Sequence, residues 1–190
     1  MIHNIVWEWV NKSGLEVLFL NEEQSIISAS GVIVGELSET TFKLRYNVEC
    51  DTDWNFLKSE LILESNNEKK KLSIKKIKDD KWIVNEQSRI DLDGCSYIDI
   101  MTSPFTNTLP IRNLKLQTNQ LAVIKVAYIR VPELEVLSME QEYTRLDSSN
   151  PPLRFLYRNL SNDFKAELTV DKNEIVTDYP GIWKRISFFD

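Results

Sequence analysis

The residues able to carry chemistry are few, and their spacing excludes most of it. His3 is the sole histidine, so a hydrolase triad would have to be built on a residue close to a terminus that commonly frays. An incidental exposed histidine is the reading the sequence favours. His3, Cys50 and Cys95 are widely separated, whereas zinc takes four close ligands, or three and a water, so neither a metal nor another cofactor is expected. Asp51-Thr52-Asp53-Trp54-Asn55 opens like a calcium loop, but its sixth position is Phe56 and its twelfth Ile62, where that loop requires glycine and glutamate. Asp91-Leu92-Asp93-Gly94 brings its glycine too early for the same loop and reads as an Asx turn. There is no Gly-x-Gly-x-x-Gly and no phosphate-binding loop. Twenty-nine acidic residues ensure that some carboxylates lie close together, yet nothing in their spacing marks a pair for glycoside chemistry.

The elements that must position any site belong to a chain of 190 residues with 42% hydrophobic and 27% charged side chains. That is the composition of a globular protein long enough to bury a core without staples, and it is read as one domain over residues 1–190. A net charge of −6 argues against nucleic acid, which demands a basic face. The N-terminal run has no basic region and is broken by Glu8 and stopped at Asn11-Lys12-Ser13, unlike a signal peptide. No stretch has the 18 or more apolar residues of a membrane-spanning helix, since even residues 121–131 carry Lys125 and Arg130. A cytoplasmic protein is expected, with Cys50 and Cys95 as reduced, buried thiols.

Residues 40–50 alternate between Phe42, Leu44, Tyr46, Val48, Cys50 and Thr41, Lys43, Arg45, Asn47, Glu49, the period of a strand with one wet face. Leu57, Ser59, Leu61 and Leu63 repeat the pattern, as do Phe164, Ala166, Leu168 and Val170. Further strands are predicted near 4–10, 15–21, 24–35, 69–77, 81–84, 96–101, 120–131, 134–145, 153–160 and 174–179, with turns between several of them. The basic run 69–78 alternates around Leu72 and Ile74, the mark of a solvated strand face ahead of a membrane-binding patch. Pro104 and Pro110 make residues 102–113 the place for irregular or briefly helical structure, and residues 148–152 read as a loop. The expected fold class is all-β with very little helix: a single antiparallel sheet curled into a roll or barrel.

Several unusual segments carry a resemblance. They are Tyr46-Asn47-Val48-Glu49-Cys50-Asp51 with Trp54, Gly94-Cys95 with Asp99, and Thr106-Asn107-Thr108-Leu109-Pro110-Ile111-Arg112. Val131-Pro132-Glu133-Leu134, Gln141 with Tyr143, and Asp178-Tyr179-Pro180-Gly181-Ile182-Trp183 complete the set. Taken in order they cover nearly the whole chain, which resembles the bacterial family catalogued as putative glycolipid-binding proteins. The resemblance implies a spiral β-roll like that of bacterial lipoprotein carriers, and a glycolipid or other amphiphile as partner.

On that footing Arg112 is the first candidate ligand contact, because its planar guanidinium suits a phosphate, carboxylate or sugar hydroxyls. The competing reading pairs Arg112 with Asp51 or Asp99 to brace the proline-bounded loop. Asn107 is a further candidate, against a role in satisfying turn backbone. Trp54, Tyr143 and Tyr179 could line an apolar mouth, against plain burial in the core. The expectation is a non-enzymatic binder whose cavity takes the amphiphile's tail while Arg112 stands at the polar mouth. An enzyme on a small polar substrate and a protein-interaction module are the alternatives.

Overall fold

Strand periodicity in the sequence becomes a run of hairpins in three dimensions. The computed structural model describes residues 2–146 and 150–189. The N-terminal half is a meander of eight strands: β1 (Ile2–Trp9), β2 (Gly14–Glu22), β3 (Ile27–Leu37), β4 (Thr40–Cys50), β5 (Phe56–Ser65), β6 (Glu68–Ile77), β7 (Lys81–Val84) and β8 (Gln87–Ser88). Ser38-Glu39, Asn66-Asn67 and Asn85-Glu86 join their strands as two-residue loops with positive φ at both positions. That geometry matches the twist of the flanking strands.

A connecting segment follows, with strand β9 (Tyr97–Ile100), a 3-10 turn (Phe105–Asn107) and helix α1 (Thr108–Leu114). The C-terminal meander comprises β10 (Leu121–Ile129), β11 (Val136–Arg145), β12 (Leu153–Asn159), β13 (Lys165–Val170), β14 (Val176–Tyr179) and β15 (Trp183–Phe189). All these strands form one sheet, because β1 and β15 pair antiparallel and fuse the two meanders.

The sheet curls into a roll whose inner face is the core. Phe42, Leu44, Tyr46, Val48 and Cys50 of β4 are all buried, as the alternation requires. The two ends of the strand order meet without pairing, across the 3-10 turn Ile90–Leu92, where Trp82 Nε1 donates to the Cys95 carbonyl at 3.2 Å and Arg89 Nη2 to the Val136 carbonyl at 2.8 Å. The connecting segment fills the interior: Phe105, Leu109 and Ile111 are each at most 1% exposed, and the Phe105 ring stacks on Tyr46. The spiral β-roll therefore has a plugged core. Among the described residues no helix is long and apolar enough to cross a membrane.

Four details depart from the sequence reading. Strand β9 runs parallel to β10, which is possible because the twenty residues between them, α1 included, supply the long crossover that a parallel pair needs. Strands β15 and β8 were not foreseen. In β15 the exposure of Ile186 and Phe189 blurs the alternation, and β8 has two residues. A register shift between Glu49 and Cys50 turns Phe56 inward and leaves Leu57 exposed. His3 is 1% exposed, with its ring 5.2 Å from Phe188 and Nε2 3.7 Å from Glu22 Oε1, because the terminal strand is held between β2 and β15. Of the loop expected at 148–152, Ser148 and Ser149 lie outside the described residues. Cys50 and Cys95 are free, buried thiols; burial pushes the Cys50 thiol up to about 12.

Candidate functional site

The connecting segment between β9 and β10 is where polar groups enter the interior. Ser103, Thr106, Asn107 and Thr108 are all at most 5% exposed, so each must find hydrogen bonds inside the protein or face a cavity. Thr106 Oγ1 donates to Asp99 Oδ1 at 3.0 Å and accepts from the Ile100 amide at 3.2 Å. Gln141 Nε2 donates to Asp99 Oδ2 at 2.6 Å. Burial raises the Asp99 pKa above the usual carboxylate value, opposed by these two donors. Asn107 Oδ1 accepts from the Tyr143 hydroxyl at 2.8 Å.

Behind this layer lies a second acid. Glu16 occupies the inward register of β2 beside Leu18 and Leu20 and is fully buried. Its Oε1 accepts from the Tyr46 hydroxyl and, at 2.8 Å, from Ser103 Oγ, while Oε2 has no partner among the described residues. Burial lifts its pKa to about 8 against both donors. Gly31 makes the arrangement possible, since a Cβ there would fall 2.0 Å from Tyr46 Cζ.

In front of the layer opens a cavity of about 260 Å³. Asp99, Ser103 and Asn107 face it from the connecting segment, Tyr128 from β10, and Tyr157 and Asn159 from β12. Asn162 and Phe164 come from the β12–β13 turn, and Tyr179 and Trp183 from the last two strands. The rings of Tyr157, Phe164 and Tyr179 touch one another, with centroids 6.0 to 6.3 Å apart, and make one aromatic wall. Burial, then the Asp99 charge, raises the phenol pKa values of Tyr128, Tyr157 and Tyr179, which sets all three around that carboxyl. Met101, 36% exposed, Phe164, 40% exposed, and the exposed Asn162 stand at its edge.

Of the residues singled out from the sequence, Asn107 and Tyr179 line this cavity. Tyr143 stands one layer behind, bonded to Asn107 and edge-on to Tyr157. Arg112 and Trp54 are elsewhere, against each other: the guanidinium lies 4.2 Å from the centre of the Trp54 ring, and Nη1 donates to Glu22 Oε1 at 2.9 Å. The brace foreseen for Arg112 is present, with Glu22 as partner in place of Asp51 or Asp99. Asp51 instead caps its own turn, accepting from the amides of Asp53 and Asn55.

The family model described as "Putative glycolipid-binding" matches residues 4–185. The chain belongs to this family. Among solved structures it is similar to a DUF1089 family protein from Pseudomonas aeruginosa, with 38% identity, 92% of each chain covered and a TM-score of 0.81. A β-barrel-like protein of domain family DUF1849 from Brucella abortus shares the fold at 11% identity and a TM-score of 0.60, over 100% of this chain and 98% of that one. No curated protein matches the sequence. Family membership and the shared roll thus agree with the resemblance read from Thr106–Arg112 and its companion segments. The run Thr106–Arg112, which carries part of that resemblance, is the plug that places Asn107 at the cavity.

The sequence left Asp99 as no more than a partner for Arg112 and passed over Tyr128, Tyr157, Asn159, Asn162 and Phe164. Glu16 carried a usable signal, an acid on the apolar register of a strand. Asp99 carried none of that kind, since Tyr97, Ile98 and Ile100 around it are all buried and a strand covered on both faces shows no alternation.

Proposed function

We propose that this protein binds a glycolipid or similar amphiphile without transforming it, in the cavity over Asp99, with the polar head inward and the chain against Met101 and Phe164 at the edge. The observation that carries the reading is a cavity that joins a carboxyl, three side-chain amides and an aromatic wall, with Met101 and Phe164 exposed at its edge. Small-molecule sites combine apolar walls with a few placed polar groups in this way. The floor of this cavity of about 260 Å³ is polar, with Asp99, Ser103 and Asn107 facing it. It suits a polar head better than a chain, so the head is placed inward where the sequence suggested the tail. The chain gains about 0.8 kcal/mol for each methylene it covers at the edge.

The non-enzymatic part of the reading is supported by the lining itself. Glycoside chemistry uses two carboxyl groups across the scissile bond, and Asp99 is the one carboxyl among the described lining residues. Incubation with octyl glucoside below its micelle concentration, followed by native mass spectrometry, tests both parts. One intact glucoside per chain is expected. A spectrum without adduct contradicts binding, and appearance of octanol and free glucose contradicts the non-enzymatic reading.

A further inference from the structure

The cavity also carries information about the charge of the head it accepts. No lysine, arginine or histidine is among its described lining residues, and Asp99 is its one acid. An anionic head would meet a carboxyl and no countercharge, in a partly desolvated site where like charges strongly disfavour each other.

The remaining hydrogen-bonding capacity is matched to hydroxyl groups. Each Asp99 oxygen receives one protein donor, from Thr106 or Gln141, and a carboxyl has about four lone-pair sites in all. Two acceptor positions are left for a ligand. The amide oxygens of Asn159 and Asn162 are taken by the Ser161 and Phe164 amides, at 2.9 Å each, and that of Asn107 by Tyr143. The NH2 groups of Asn159 and Asn162 therefore supply donors toward the cavity, and Asn107, whose Nδ2 also donates to the Pro104 carbonyl at 3.5 Å, keeps one N–H for it. A hydroxyl donates and accepts at once, so a polyhydroxylated ring can use both sets, whereas a phosphate or carboxylate uses donors alone.

The aromatic wall completes the selection. Ring faces carry negative potential and receive the C–H face of a sugar ring. Such faces also attract ammonium groups, but a cage must hold its rings apart around the cation. Tyr157, Phe164 and Tyr179 are already in mutual contact, tilted 44° to 66° to one another, which leaves no gap between them for a cation.

We infer that the head seated over Asp99 is an uncharged glycosyl ring, and that heads bearing phosphate, carboxylate or quaternary ammonium are disfavoured. This inference rests on the amphiphile-binding reading above. It is tested by titrating the full chain with dodecyl glucoside, dodecyl phosphate and dodecyltrimethylammonium, each below its micelle concentration, by calorimetry and Trp183-sensitive fluorescence. The glucoside should bind at least tenfold more tightly than either charged analogue. Asp99→Asn should narrow the glucoside-to-phosphate ratio severalfold by relieving the repulsion. Phe164→Ala, at a position 40% exposed, should weaken the glucoside more than the phosphate. Equal or tighter binding of the phosphate or the ammonium would overturn the head-class inference and leave amphiphile binding standing. Binding of none of the three would overturn both.

Discussion

The two ends of the segment that links β9 to β10 contrast instructively. At its N-terminal end Ser103, Thr106 and Asn107 are uncharged and buried, and Ser103 and Asn107 line a cavity. At its C-terminal end Arg112 and Asn113 hold the segment to its surroundings: Arg112 on Glu22 and Trp54, Asn113 Nδ2 on the Asp53 carbonyl at 2.6 Å. The conspicuous charged residue is a fastener, and the inconspicuous hydroxyls and amide shape the site. A cation is a poor indicator of a ligand when an acid on the next element already neutralises it.

The largest effect expected from disturbing this contrast lies behind the N-terminal end, at Glu16. Its pKa is near 8 in the fold and near 4.5 in the unfolded chain, so between those values the folded state holds a proton that the unfolded state has released. Stability is then fully present below pH 4.5 and falls as pH rises toward 8, by up to roughly 1.4 kcal/mol per pH unit. Glu16→Gln keeps an oxygen for Tyr46 and Ser103 and removes the titration. Urea denaturation from pH 5 to pH 8.5 should show the variant gaining on the wild type steadily as pH rises. Parallel curves would mean that Glu16 is ionised in the fold.

A smaller effect is expected at the C-terminal end. Arg112→Ala removes a partly exposed ion pair and a cation–π contact, together worth about 1–2 kcal/mol, or a few degrees in Tm for a chain of this size. Octyl glucoside affinity should stay within a factor of two of wild type. A tenfold loss of affinity at unchanged stability would place Arg112 in the binding site and undo the comparison.

The sequence made the fold readable wherever one strand face is wet. Phe42 to Cys50, Leu72 with Ile74, and Leu168 with Val170 all fell on the predicted registers because polar residues alternate with them. It concealed what depends on contacts distant along the chain. The parallel β9–β10 pair is invisible because its helical crossover looks locally like a long loop between hairpins. Strand β15 is hidden because half its apolar residues are exposed. The site was legible at Asn107 and Tyr179 through family resemblance alone. Asp99 and Phe164 join it only when β9, the β12–β13 turn and β14 converge, which no local pattern encodes.

Entry of the polar head, rather than the chain, into the cavity is read directly by saturation-transfer NMR of octyl glucoside on the protein. With saturation placed on aromatic resonances of the protein, the sugar-ring protons should receive the strongest transfer, because Tyr157, Phe164 and Tyr179 wall the cavity. Transfer concentrated on the chain's terminal methyl and distal methylenes, with the ring protons weak, would contradict it.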